Sequence, residues 1–304
     1  MRKSLALTLS AGLLLALSAC STSTTAADCS TTVSPGDASE LVSASGDLGT
    51  DPAATFPFPL VTDTTEASVL VKGSGDVAGD GGVVNVNYAV YDGESGAAVG
   101  EPQGGLIVVS DNLPEGLHDA LTCAATGERV AVVLPNEVAS TVVSGAPGTI
   151  VMVFDVSSVF PRAADGSDQP AQAGFPGVVH DADGRPGISI GSNTAPDEAK
   201  SALLKKGDGD KVSEGDAVLV QSTAVSYDTG EVTTSTWEDG APALWLMSDD
   251  ASATSGSTQP AGITEFLVGQ TVGSEVIVVL PADADAGTSA TAYVVDILGI
   301  TPAA

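Results

Sequence analysis

Short runs of Val, Ile, Leu and Ala, bounded by Gly, Asp and Pro, recur along most of this chain. Runs of that length and composition predict β-strands. In the first half they fall at 67–72, 83–91, 106–109, 129–134 and 149–159. In the second half they fall at 201–205, 217–227, 243–247, 275–280 and 291–298. Helical spacing is confined to 117–122 in the first half and 262–268 in the second. The pattern predicts an α+β fold made mainly of antiparallel sheet.

The runs come in the same order twice. Residues 70–86 and 204–220 share Gly73 with Gly207, Gly75 with Gly209 and Val84 with Val218, each 134 positions apart. Gly116-Leu117 and Gly127 through Pro135 match Gly262-Ile263 and Gly273 through Pro281 at an offset of 146, so the second copy carries twelve extra residues. Asp155 then stands opposite Asp296, 141 positions on. Three matched blocks in one order predict two copies of one domain, at 49–162 and 178–304, joined by a Gly/Pro/Gln-rich linker at 163–177. Residues 248–258, rich in Ser, Ala, Thr and Asp, read as an exposed insertion.

The start of the chain is a targeting segment. Arg2 and Lys3 precede an apolar run from Leu5 to Leu17, and Leu17-Ser18-Ala19-Cys20 reads as a lipobox, giving a signal peptide over 1–20 and lipidation of Cys20. The run, about 13 residues, falls short of the roughly 20 that span a bilayer. The protein is therefore expected to be exported and lipid-anchored on the outer face of the cytoplasmic membrane. Residues 21–48 are Ser, Thr, Ala, Gly and Asp with little periodicity and read as a flexible tether. Phe56-Pro57-Phe58-Pro59 is expected to pack both Phe side chains at the start of the first domain. With Cys20 committed to lipid, Cys29 and Cys123 remain as an even pair in an oxidising compartment, and a disulfide between them is expected.

Composition narrows the chemistry. Without Arg2 and Lys3, 8 of the 10 Lys+Arg remain against 39 Asp+Glu, a net charge of −31. That sign excludes nucleic acid as a partner. Aromatics are only 4%, so Val, Ala and Leu must fill the cores. Gly187-Ile188-Ser189-Ile190-Gly191 satisfies Gly-x-Ser-x-Gly, but His118 and His180 both precede the serine, so a nucleophile elbow is not supported. Gly73-x-Gly75 has Asp76 and Asp80 beside it, which repel phosphate. Two histidines 62 residues apart form no zinc pattern, and neither Asp181-x-Asp183 nor Asp208-x-Asp210 continues as a calcium loop. No metal and no cofactor are expected.

The second copy resembles an FKBP-type peptidyl-prolyl cis-trans isomerase domain. The resemblance is carried by Lys206-Gly207-Asp208-Gly209-Asp210, Gly215-Asp216, Asp228-Thr229-Gly230, Pro242, Gly262 through Gly273, Leu280-Pro281 and Val294-Val295-Asp296. The first copy shares it through Tyr88, Gly116-Leu117, Gly127-Glu128, Leu134-Pro135 and Phe154-Asp155. It implies two FKBP-like domains, each a curved antiparallel sheet of about five strands around one short helix.

What the resemblance implies about sites differs between the copies. In the second, Ser222, Thr233-Thr234, Gln259-Pro260, Ile263 and Val295 stand where the family has its pocket aromatics and acid, and the 282–286 loop lacks a tyrosine. In the first, Tyr88 and Phe154 fall on family pocket positions as catalytic candidates, with Val99, Leu113 and Leu117 as substrate-binding candidates. Residues 136–140 read as a loop without a tyrosine. The expectation is a monomeric isomerase of proline-containing polypeptides, with residual activity in the first domain. The alternative is a non-catalytic binding or chaperone-like module on the same scaffold.

Overall fold

The computed structural model describes residues 29–30, 33–146, 148–248, 250, 257–283 and 287–301. The signal segment with Cys20, residues 21–28, most of the 248–258 insertion and part of the 282–286 loop lie outside the described residues.

The first half contains β1 (Ser43–Ser45), β2 (Ala53–Thr55), β3 (Glu66–Val71), β4 (Ser74–Val77), β5 (Val83–Asp92), β6 (Gln103–Val108), α1 (Glu115–Thr122), β7 (Ala125–Thr126), β8 (Arg129–Leu134), α2 (Asn136–Val142) and β9 (Ile150–Phe160). Five strands form an antiparallel sheet in the order β3-β8-β9-β5-β6.

The second half contains β10 (Ser167–Asp168), β11 (Gly177–His180), β12 (Pro186–Ser189), β13 (Lys200–Lys206), β14 (Ala217–Ser226), β15 (Val232–Ser235), α3 (Thr236–Asp239), β16 (Ala243–Leu246), α4 (Thr264–Leu267), β17 (Glu275–Leu280) and β18 (Thr291–Thr301). Its sheet runs β10-β13-β17-β18-β14-β15, with β16 also paired to β14. The order β13-β17-β18-β14-β16 repeats β3-β8-β9-β5-β6. The expected five strands become seven here, because β10 extends one edge and two short strands share β14 at the other.

The irregularities repeat as well as the strands. The β5–β9 register shifts between Asn85 and Val86, and the β14–β18 register shifts between Leu219 and Val220, 134 positions later. The β3–β8 shift between Val69 and Val71 has its counterpart between Leu203 and Lys205, again 134 later. Each bulge re-aims the side chains that follow it. Matching glycines hold matching turns. Gly127 and Gly273 both have φ in the left-handed region, +77° and +85°. A Cβ on Gly207 would stand 2.0 Å from the Val272 carbonyl oxygen, and one on Gly73 would stand 2.8 Å from that of Ala125.

Each sheet is buried on both faces, which is why β8 and β17 read as nearly continuous apolar runs. On the inner face of the first sheet, Val130, Val132 and Leu134 alternate with the outer-face Ala131 and Val133. The inner face packs on Leu117, Ala120 and Leu121 of α1. The outer face is covered by Ala38, Val42, Phe56 and Leu60.

That cover corrects the tether expected over 21–48. From residue 33 onward the chain is laid against the sheet, with a 3-10 turn at Ser39–Leu41 and the β1–β2 hairpin. The Glu66 carboxylate accepts the backbone N–H groups of Ala38 and Ser39, at 2.8 and 2.9 Å, and fixes the turn. Small apolar residues spaced singly among polar ones do the packing, so no periodic signal marks them. The linker expected at 163–177 is corrected in the same way. Ala164 is buried, β10 joins the second sheet, and Phe175 packs on its outer face with Val178 and Ile188.

Three smaller expectations also change. Phe56 is buried, but Phe58 is exposed. The 136–140 loop is helix α2, with Ala139 buried. The single helix foreseen in each half is two, α1 with α2 and α3 with α4, and α4 is a single turn.

Candidate functional site

Tyr88 of β5 and Phe154 of β9 are directly paired across the sheet. Their ring centroids lie 5.4 Å apart at an interplanar angle of 31°. Cross-strand aromatic pairs of this kind interlock on one face of a sheet. Phe154 is fully buried, whereas Tyr88 is half-buried and its hydroxyl donates to Gln103 Oε1 at 3.1 Å. Leu117, in the first turn of α1, and half-buried Leu113 just before it belong to the same cluster. Val138, Val142 and Val143, in and just after α2, join it. The structure thus brings together four of the five pocket candidates in the first half. Val99 is apart: it lies in the turn after β5, where its N–H donates to the Val90 carbonyl at 2.8 Å, and it is outside the cluster.

The second sheet offers different chemistry at the same register. Ser222 pairs with Val295 where Tyr88 pairs with Phe154. The Ser222 N–H donates to Thr236 Oγ1 at 2.8 Å, Thr236 donates in turn to Gln221 Oε1, and Thr223 and Ser235 share a hydrogen bond at 3.1 Å. A polar knot anchored by α3 takes the position of the first half's aromatic pair. Ile263 is completely buried at the position equivalent to Leu117, and Trp245 is a core residue. Neither presents an aromatic face to a ligand.

Beside Leu117, helix α1 carries His118, whose Nε2 lies 3.1 Å from Asp80 Oδ1 and whose Nδ1 lies 3.2 Å from Asp119 Oδ1. Asp80, Asp111 and His118 place possible ligand atoms within 4.8 Å of one another, a convergence that the sequence spacing did not signal. Arg162 Nη1 stands 3.7 Å from Asp80 Oδ2, so the group already has a cationic partner and reads as an ion-pair network. Burial lowers the His118 pKa, but hydrogen bonds and charge from Asp80 and Asp119 outweigh it and leave the group above its ordinary value.

A cavity of about 730 Å³ lies elsewhere, along β3 and the Cys29–Cys123 disulfide. It includes none of Tyr88, Phe154, Leu113 and Leu117. The two cysteines are joined, with Cα atoms 5.7 Å apart across 94 positions. Glu128 is buried against this cavity, and loss of solvent pushes its carboxyl up to about 7.

No family model matches the chain. No curated protein matches it either. Solved structures similar to it are FKBP-type peptidyl-prolyl isomerases, several of them multi-domain. The three FKBP domains of wheat FKBP73 align over 78% of this chain and 94% of theirs, at 18% identity and a TM-score of 0.35. A peptidyl-prolyl cis-trans isomerase from Pseudomonas syringae aligns over 33% of this chain and 77% of its own, at 22% identity and a TM-score of 0.28. FkpA from Escherichia coli aligns over 42% and 53%, at 19% identity and a TM-score of 0.29. With TM-scores this low, these likenesses do not place the chain in the family.

Proposed function

We propose that the first half of this chain binds proline-containing polypeptides in an apolar groove floored by Phe154 and Leu117 and edged by Tyr88 and Leu113. We further propose that it accelerates Xaa-Pro isomerisation weakly there. The observation that carries this reading is the Tyr88–Phe154 pair, in which Tyr88 is half open to solvent over a fully buried Phe154. Isomerisation must cross a barrier of about 18–20 kcal/mol because resonance is lost as the amide twists. A dry apolar groove lowers it by binding the twisted amide, with less double-bond character and less need of solvation, better than either planar form. No nucleophile or metal is required. The Tyr88 hydroxyl is the polar group at the edge of the groove that can orient a peptide carbonyl.

In this reading the second half is a non-catalytic FKBP-like domain, because Ser222, Val295 and the Thr236 hydroxyl replace the aromatic surface. The protein acts outside the cytoplasm as a monomer, anchored through lipid on Cys20. Its acidic charge favours basic stretches in its clients. The second reading, binding without catalysis, is favoured by Val99, which leaves the groove without a wall on that side.

Titrating the soluble chain from Ser21 onward with an Ala-Leu-Pro-Phe peptide, followed by amide chemical shifts, tests this. Shifts centred on Tyr88, Leu113, Leu117 and Phe154 support the proposal. Shifts centred on Ser222 and Val295, or none at millimolar peptide, oppose it.

A further inference from the structure

Glu275 and Asp296 face each other on adjacent strands of the second sheet, in the register that Arg129 and Asp155 hold in the first. In the first sheet this is an ion pair: Arg129 Nη2 donates to Asp155 Oδ2 at 2.7 Å, and the Gly49 N–H, from the loop of the β1–β2 hairpin, donates to the same oxygen at 3.0 Å. In the second sheet the guanidinium is replaced by a second carboxyl. Glu275 and Asp296 are 1% and 2% exposed. Two carboxylates cannot both stay ionised at this depth without a cation between them.

The surroundings supply little positive charge. His180, at the end of β11, places Nε2 2.6 Å from Glu275 Oε1. The Ala164 N–H donates to Asp296 Oδ2 at 3.1 Å. Lys205 of β13 is the nearby cation, and its Nζ is directed to the Ala164 carbonyl at 2.9 Å. Asp168 of β10 and Asp181 of the β11–β12 turn add negative charge. Glu275 Oε2 and Asp296 Oδ1 are buried with no hydrogen-bond partner among the described residues. One proton shared between the paired carboxyls would satisfy both atoms. His180 on Glu275 Oε1 and a protonated Asp296 on the other side of Glu275 would then make a chain.

We propose that His180, Glu275 and Asp296 form a proton-operated latch that seats the β11–β12 hairpin on the outer face of the second sheet. The hairpin covers that face through Val178 and Ile188, as residues 38–60 cover the first sheet. His180 is its direct tie to the buried acids. With the proton held, the tie is a neutral His donating to a single carboxylate. Without it, two carboxylates repel beneath the hairpin, and opening the hairpin to water relieves them.

The pKa directions agree with this geometry. Burial, then the Glu275 charge, raises Asp296 to about 7; burial raises Glu275. A carboxyl raised in the closed state stabilises closure fully below its ordinary value of 3.8 and loses that contribution as pH rises to about 7. His180 works the other way: burial lowers it, so its contribution falls as pH drops through 6.5. The Asp296 shift is the larger, so the hairpin loosens between pH 5 and 7.

Hydrogen exchange of the full soluble chain, corrected for intrinsic rates, tests the latch. Amides of 177–189 should lose protection on going from pH 5 to 7, by up to about tenfold per pH unit for one linked proton. The β1–β2 hairpin, over Arg129–Asp155, should not respond. Asp296→Asn supplies a permanent donor and should abolish the loss of protection at 177–189 between pH 5 and 7, leaving only the opposite trend of His180; Glu275→Gln removes the paired charges if the first variant fails to fold. Hairpin protection independent of pH in the parent chain, or an unchanged pH response in the folded variant, overturns the proposal.

Discussion

Tyr88 stands over Phe154 with ring centroids 5.4 Å apart, and the residues in the same register of the second sheet are Ser222 and Val295. One scaffold therefore carries an aromatic face in its first copy and a hydroxyl network in its second. The five-strand order and both bulges repeat, so the difference lies in the side chains at this register and in the added β15 and α3 that supply Ser235 and Thr236.

Phe154→Val gives the first sheet the residue of the second. Phe154 is completely enclosed, so the lost methylenes and the cavity should cost about 1.5–3 kcal/mol, less than the roughly 3–5 kcal/mol of Phe→Ala. Urea unfolding checks this. A loss below 0.5 kcal/mol on that order-of-magnitude scale would mean the ring is not closely packed.

Arg129→Met should destabilise by about 3–5 kcal/mol, because Asp155 is then left charged and buried with only the Gly49 N–H. Arg129→Met with Asp155→Leu should recover most of that loss, since both members of the pair are gone. Thermal unfolding of the single and double variants separates the two terms.

Reducing Cys29–Cys123 should lower stability by about 2–4 kcal/mol, since it frees the unfolded chain from a closure of 94 positions. Because residues 33–42 depend on that tie and on Glu66 to stay on the sheet, limited proteolysis should cut there first after reduction. Equal resistance with and without reductant would assign the docking to Glu66 alone.

Glu128 predicts its own pH dependence. Its carboxyl, raised to about 7 by burial, stabilises the fold fully below its ordinary 4.5 and loses that contribution as pH rises to about 7. Glu128→Gln should flatten stability across that window and raise it at pH 8 by about 2–3 kcal/mol at most. Urea midpoints at pH 5 and 8 read the effect.

How far the sequence reached can be judged from single elements. Strands at Arg129–Leu134 and Glu275–Leu280 are read to the residue because both faces are buried and the apolar run is unbroken. The covers of the outer faces are not legible. Ala38 and Ala164 are small and held by side-chain acceptors far away in sequence, Glu66 and Asp296, and Val42 sits in no periodic run. At the candidate site, Tyr88, Phe154, Leu113 and Leu117 converge because strand pairing and helix docking follow from the repeat. Val99 does not, because its turn is set by backbone bonds to Val90. The Glu275–Asp296 dyad is not legible in the sequence, where only Asp296 is matched, to Asp155; strand pairing brings Glu275 opposite it, at the register where the first sheet has Arg129.

The central claim, a working groove in the first half, is tested most directly by cis/trans exchange in an Ala-Leu-Pro-Phe peptide. Two-dimensional exchange NMR with the soluble chain needs no protease. The account predicts faster exchange with the parent protein and a loss of at least fivefold in that acceleration with Tyr88→Ser, while the fold and the exchange seen with Ser222→Ala are unchanged. Acceleration that survives Tyr88→Ser, or that disappears with Ser222→Ala, would contradict it.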